Sequence, residues 1–255
     1  MRATVQDLAS LKPKFFSVTY GAGGSTQAGT FETVKWIKEQ GLEAAPHISC
    51  VGATRERIVE QLKAYQALGV KRIVALGGDL PSGMASHGEF RYAYQLVELI
   101  RKETGDGFHI EVAAYPEVHP RAANAEDDLK HFRQKVDCGA SSALTQYFYN
   151  PDAYVRFVNE CEKLGLKLPV VPGIMPITNY KQLARFSDAC GAEIPRWIRK
   201  RLEGFGDDLE SLRAFGLDVT IQLCEKLLAA GAPGLHFYSM NRTEPTRTIW
   251  KQLGL

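Results

Sequence analysis

The sequence has almost no excess of charge: 31 Lys and Arg stand against 29 Asp and Glu, a net of +2 over 255 residues. So even a balance offers no block of cations to displace counterions from a polyanion, and nucleic acid is not an expected partner. Long apolar runs are missing as well. The longest, such as 168–174 and 227–230, fall far short of the roughly 20 residues that a membrane helix needs. The first residues, Met1-Arg2-Ala3-Thr4-Val5-Gln6-Asp7, have neither the apolar centre nor the small-residue cleavage site of a secretory signal. No membrane partner is expected, and the cytoplasm is the expected compartment. Cysteine is sparse: Cys50, Cys138, Cys161, Cys190 and Cys224 are an odd number, scattered, with no C-x-x-C. That excludes a disulfide framework or a zinc ribbon and predicts small buried side chains in a reducing compartment. There is no H-x-H or H-E-x-x-H to hold a metal, no G-x-S-x-G elbow and no P-loop. No metal is therefore expected.

What is present is alternation. Short β-branched or aromatic runs at 15–20, 44–49, 72–76, 110–115, 143–147, 168–173 and 234–238 predict seven strands. Between them run stretches with apolar residues at helical spacing, such as Ile58, Leu62, Tyr65 and Leu68. Thr54, Asn150-Pro151 and Thr178-Asn179 supply helix starts, and Gly41, Gly69, Gly139, Gly165 and Gly231 supply left-handed stops ahead of strands. The segment 194–208 reads as an inserted helix and loop before a long helix at 209–230. Units of about thirty residues, with polar or Gly-rich runs at strand ends along the chain, point to an α/β fold of the TIM-type (β/α)8 barrel kind in a single domain, 1–255. A doubly wound sheet shares the alternation but gathers its polar ends at one switch point. Closure of such a barrel needs an eighth strand, and the missing unit is expected at the front.

Several strand ends carry candidate chemistry. Gly21-Ala22-Gly23-Gly24-Ser25-Thr26 fails the dinucleotide fingerprint, because Thr26 stands where its third glycine belongs. Leu76-Gly77-Gly78-Asp79-Leu80-Pro81 sets a carboxylate just past an apolar strand, with glycines that admit a planar ligand close to the backbone; Asp79 is the first candidate catalytic residue, and a turn or helix-capping aspartate is the plain structural alternative. Tyr115-Pro116-Glu117-Val118-His119-Pro120 brackets a phenol, a carboxylate and an imidazole between stiffening prolines. Gln146 ends a strand beside three aromatic residues, and Gln182 and Phe186 stand one helical turn apart, a combination suited to a flat heterocycle with donor and acceptor edges, or to ordinary helix packing.

With these residues assembled, the chain resembles bacterial methylenetetrahydrofolate reductases over nearly its whole length. The match rests on Lys14-Phe15-Phe16-Ser17-Val18-Thr19-Tyr20-Gly21-Ala22, Gly41-Leu42-Glu43-Ala44-Ala45-Pro46-His47 and Ile73-Val74-Ala75-Leu76-Gly77-Gly78-Asp79-Leu80-Pro81. It continues through Ala113-Ala114-Tyr115-Pro116-Glu117-Val118-His119-Pro120, Thr145-Gln146-Tyr147-Phe148 and His236-Phe237-Tyr238-Ser239-Met240-Asn241-Arg242. The resemblance implies a barrel holding noncovalent FAD, which takes hydride from NADH or NADPH and passes it to 5,10-methylenetetrahydrofolate, giving 5-methyltetrahydrofolate for methionine synthesis. By position in the family's motifs, Thr19, His47, Leu76, Gly78, Tyr115, His119, Asp128, Lys135 and Leu144 would bind the cofactor. Asp79 would lie between flavin and pterin, and Gln146, Gln182, Phe186 and Arg242 would bind substrate. Ala140 would help position the flavin-holding helix. A homo-oligomer is expected. Two departures stand out: the family's first strand, with the glutamate taken to be its general acid, has no counterpart, and Gly77 stands where members commonly carry Arg. Two other readings of these residues are a flavin- or folate-binding barrel that does not complete catalysis, and a metal-assisted barrel hydrolase or lyase using His47, Asp79, His119 and His236.

Overall fold

A computed structural model describes residues 1–19, 27–78 and 88–255. Among them the elements run α1 (Arg2–Ala9), β1 (Phe16–Val18), α2 (Gln27–Glu39), β2 (Ala44–Ser49), α3 (Arg55–Ala67), β3 (Arg72–Leu76), α4 (Ala93–Thr104), β4 (His109–Ala114), α5 (Ala125–Asp137), β5 (Ser142–Tyr147), α6 (Pro151–Lys163), β6 (Val170–Ile174), α7 (Tyr180–Cys190), α8 (Arg196–Gly204), α9 (Leu209–Ala229), β7 (His236–Phe237) and α10 (Thr246–Gln252). Parallel strands alternating with helices make this the α/β fold class of TIM-type barrels. The helix starts read from the sequence hold: Thr54 accepts from the Arg57 amide, Asn150 from Asp152 and Asn179 from Gln182. The five glycine stops all have positive φ.

The chain divides into two compact units. One comprises Lys12–Ala113 and His131–Ala143. Here β1 to β4 pair in parallel, with Ser17 opposite Ala45, His47 opposite Val74, and Val74 opposite Glu111. Because side chains alternate along a strand, Ile48, Ala75 and Val112 share the other face, and all three are fully buried. That face is the apolar one. On the first face, at the N-terminal ends of the strands, lies a polar network. Arg72 pairs with the buried carboxylate of Glu111 and sits 4.7 Å over the Phe15 ring. Ser142 donates to the other Glu111 oxygen, and His109 Nε2 lies 2.6 Å from Ser142 Oγ. Burial first, and then Arg72, lower the pKa of His109. Arg101 of α4 forms a second hub: Nε donates to Gly139 O, one Nη to Gly105 O and Phe108 O, and the other to Ser141 Oγ, at 2.8 to 3.0 Å.

The other unit comprises Met1–Leu11, Ala114–Lys130 and Leu144–Leu255. In it β6 and β7 pair through Gly173 opposite His236 and Ile174 opposite Phe237. This ladder is shorter than the predicted 234–238, since Pro172, just before the paired stretch, has no N–H to give; Tyr238 adds one further bond to Ile174 O. Gly173 donates to Thr145 Oγ1 at 2.8 Å, and a side chain at Gly173 would collide with Thr145 O and the Tyr238 ring. The long α9 buries Leu212, Val219, Leu223, Cys224 and Leu227, a stripe at three- and four-residue spacing. At the chain's ends α1 buries Val5 and Leu8 and grips the turn before α10: Thr4 donates to Asn241 O, Thr243 to Asp7, and Arg247 pairs with Asp7 at 3.5 Å.

Candidate functional site

The sequence-predicted residues fall on both units, and each half has its own geometry. In the first unit, His47 and Leu76 lie on the strand face that also carries Val74, and Thr19 follows β1, with its carbonyl accepting from Thr30 at 3.1 Å. Gly78, just past β3, has φ +80°, and a side chain there would run into Ser49 Oγ and come within 3.1 Å of Val51 Cγ2. Only glycine allows the backbone to turn there beside β2. Lys135, half-buried near the end of α5, sends its ammonium to Ala113 O at 2.5 Å, at the C-terminal end of β4. Ala140, expected to position α5, donates its amide to Lys135 O just beyond the helix. Asp79, the first catalytic candidate, and the Gly21–Thr26 run lie outside the described residues.

The second unit holds the denser cluster. Tyr115 and His119 meet edge to face with centroids 4.4 Å apart. The His119 amide donates to Asp128 Oδ2 at 2.8 Å, tying the loop after β4 to the first turn of α5, and His119 Nδ1 accepts from the Arg121 amide. Asp128 therefore holds the loop's backbone. Gln146 is the penultimate residue of β5, its Oε1 accepting from the Tyr147 amide at 3.0 Å, while Leu144 is buried two residues earlier. Gln146 lines a small cavity with Tyr115, Glu117, Tyr147, Cys190 and Ala192. Gln182 and Phe186 project from α7 half-buried, and Arg185 lies over the Phe186 ring at 5.7 Å. Arg242 stands exposed in the turn between β7 and α10, away from these contacts, where Met240 and Asn241 both hold positive φ.

Electrostatics around this cluster are set by exclusion of water. Burial raises the phenols of Tyr147 and Tyr149 and that of Tyr238; Tyr147 shares a hydrogen bond with Ser187 of α7, and Tyr149 donates to Met175 O. These are neutral hydroxyls, tools for packing and hydrogen bonding rather than for acid–base work near neutral pH. Burial pulls His236 down to about 4, so its imidazole is neutral as well. Glu117 goes the other way for a carboxyl, raised by burial although it accepts from the Glu193 amide at 2.8 Å. Its partner Glu193 stands 76 residues on, where no local motif announces it. Among the described residues no group of His, Cys, Asp and Glu is set to hold a metal ion, and no helix is long and apolar enough to cross a membrane. A wider cleft of about 570 Å³ opens elsewhere in the same unit, between Tyr149, Trp197 and Lys226.

A TIM-type arrangement of parallel strands, with neutral rings, amides and a lysine at the strand ends, agrees with comparisons to known proteins. The methylenetetrahydrofolate reductase family model matches residues 1–254. The 5,10-methylenetetrahydrofolate reductase of Salmonella typhimurium is 42% identical over 253 residues, covering 99% of this chain and 84% of that protein, and the Escherichia coli enzyme is 41% identical over the same shares. A rice protein named probable methylenetetrahydrofolate reductase (NADH) is 37% identical, covering 95% of this chain and 43% of its own length. Among solved structures, a Clostridium thermocellum protein that binds two copies of 5-methyl-5,6,7,8-tetrahydrofolic acid superposes with TM-score 0.69 at 17% identity, over 99% of this chain and 87% of that one. Oxaloacetate acetylhydrolase follows with TM-score 0.59 at 10% identity, over 97% and 75%, and both share the fold. The chain belongs to the methylenetetrahydrofolate reductase family of oxidoreductases.

Proposed function

We propose that this chain reduces 5,10-methylenetetrahydrofolate to 5-methyltetrahydrofolate, with bound FAD and with NADH or NADPH as the hydride donor. The observation that carries the reading is the match of the family model to residues 1–254, together with the Tyr115, His119 and Asp128 cluster, which gives the sequence motif a rigid geometry. The residues present suit FAD. A half-buried ammonium at Lys135, the Gly78 amide just past β3 and a hydroxyl at Thr19 are donors of the kind that a diphosphate and a polyhydroxyl chain ask for. His47, Leu76, Tyr115, His119 and Leu144 would hold the flavin alongside them. When bound, the flavin supplies the two-electron carrier that the side chains themselves lack.

The protein's part is orientation, charge and water exclusion. Gln146 would hydrogen-bond the pterin edge, and Gln182 with the Phe186 ring would hold the pterin or, in its turn, the nicotinamide. Arg242, exposed and cationic, would meet a carboxylate of the folate tail. Opening the imidazolidine ring puts a proton, taken from solvent, on the leaving nitrogen and leaves an iminium cation on the substrate, and Asp79 would stabilise that positive charge. The chain would work in the cytoplasm and as a homo-oligomer.

The visible spectrum of the purified chain before and after anaerobic NADH tests the cofactor half: a flavin band that bleaches supports it, and no band even after added FAD refutes it. Asp79→Asn tests the folate half. It should slow folate reduction by about a hundredfold while leaving flavin reduction by NADH within a few-fold; equal losses in both half-reactions would remove Asp79 from this role.

A further inference from the structure

We infer that Glu117 is a positioning residue: its carboxylate clasps the chain just beyond α7 and so sets where Gln182 and Phe186 stand for the folate. The inference rests on the proposed reading of α7 as a folate-contacting helix. Its basis is geometric. Glu117 lies between Tyr115 and His119 in a loop that is itself pinned, because the His119 amide is held by Asp128 at 2.8 Å. From that fixed point the Glu117 carboxylate reaches across to accept the Glu193 amide, three residues past the end of α7, at 2.8 Å.

A second contact follows the same line. Gly191, the left-handed cap of α7, lies against Pro120, close enough that a side chain on Gly191 would sit 3.4 Å from Pro120 Cδ. The loop therefore meets the end of α7 at two places, and the cavity between them is lined by Tyr115, Glu117, Gln146, Tyr147 and Cys190. The Tyr147 to Ser187 pair also holds this end of the helix, and the clasp adds a half-buried carboxyl acceptor. A helix moves as a rod, so the position of its last turn governs Gln182, about 12 Å away at 1.5 Å per residue. The loop that carries two flavin-contact candidates thus also carries the register of the helix that bears two folate-contact candidates. Two facing groups of opposite sign bear on the clasp: Glu193 opposes the carboxylate's charge and Arg156, from α6, favours it.

The test uses the full chain, and Glu117→Ala and Glu117→Gln are compared. Three quantities are read: the KM and kcat for 5,10-methylenetetrahydrofolate, the flavin content, and amide hydrogen exchange over 180–190 in the protein without cofactor. Glu117→Ala should raise the folate KM about tenfold, speed exchange along α7 and leave flavin content near that of the unaltered chain. Glu117→Gln, whose side-chain oxygen still accepts the Glu193 amide, should recover most of both. A Glu117→Ala variant with unaltered KM and unaltered exchange overturns the proposal, as do equal effects of the two substitutions. If the unaltered chain fails to turn over the folate, the reading of the site falls, and the exchange data alone then decide the clasp: faster exchange in Glu117→Ala keeps it and unchanged exchange removes it.

Discussion

Replacing Gly78 by alanine places a methyl group where the backbone stands at φ +80° and where Ser49 Oγ already occupies the space. Two costs add. Holding an L side chain in the left-handed region costs about 1 to 2 kcal/mol, and forcing a methyl into an occupied volume costs about 1 to 3 kcal/mol more. A total of about 3 kcal/mol should lower the melting temperature by roughly 6 to 12 °C in a chain of this size. Because Gly78 is also a candidate for close backbone approach to the flavin, the variant should hold FAD more weakly as well. The clash term can be separated from the backbone term by adding Ser49→Ala. That removes the obstructing oxygen, and with it only a 3.3 Å bond from the Val51 amide and a 3.5 Å contact to Gly77 O. The double variant should recover about half of the lost stability, since Val51 Cγ2 at 3.1 Å and the strained φ both remain. Thermal unfolding of the four proteins, with flavin titration of each, reads both effects. If Ser49→Ala restores nothing, crowding by Ser49 is not what makes position 78 a glycine.

Three further outcomes follow from other parts of the molecule. Arg72→Leu leaves the buried Glu111 carboxylate without its counter-charge, which should cost about 3 to 5 kcal/mol; urea unfolding should show Arg72→Leu with Glu111→Leu to be far more stable than Arg72→Leu alone, and no recovery would mean that the carboxylate is satisfied by Ser142 and His109. His236 titrates near 4 in the fold against about 6.5 when unfolded, so between these values the unfolded chain binds more protons. Stability is therefore full above about pH 6.5 and falls as pH drops towards 4, by roughly 3 kcal/mol at most; His236→Asn should flatten that slope in urea titrations, and an unchanged slope would show the imidazole to be hydrated. Lys135→Met should raise the dissociation constant for FAD at least tenfold at low salt while leaving the melting temperature of the cofactor-free protein within a few degrees, and unaltered flavin affinity would take Lys135 out of the cofactor site.

Local chemistry made much of this readable in advance. Thr54, Asn150 and Asn179 cap helices in the structure as their side chains predict, and β2 and β3 run over the residues predicted for them, 44–49 and 72–76. Gln182 and Phe186 are one turn apart because the helical period had already placed them so. What escaped was long-range and polar. Glu111 sits inside an apolar strand run, and nothing near it announces that Arg72, 39 residues earlier, and Ser142, 31 later, converge on it. The Glu117 to Glu193 bond spans 76 residues between two loops, where no periodicity operates. Strand ends also shifted where proline interrupts pairing, as at β6 and β7. The proline-bracketed run marks Tyr115 and His119, and the family likeness adds Asp128; the mutual contacts that join them come from the fold.

Arg101 carries a consequence for how this chain can change. Its planar guanidinium answers to carbonyls in the turn before β4, at Gly105 and Phe108, and to Gly139 and Ser141 in the turn before β5. The group cannot shed its charge, so every donor that loses its acceptor must find another or be hydrated. Surface turns ordinarily gain and lose residues without penalty. These two cannot do so independently: one residue inserted in either would pull carbonyls off the shared cation, and a length change tolerated in one should require a matching adjustment in the other, or the loss of Arg101 itself.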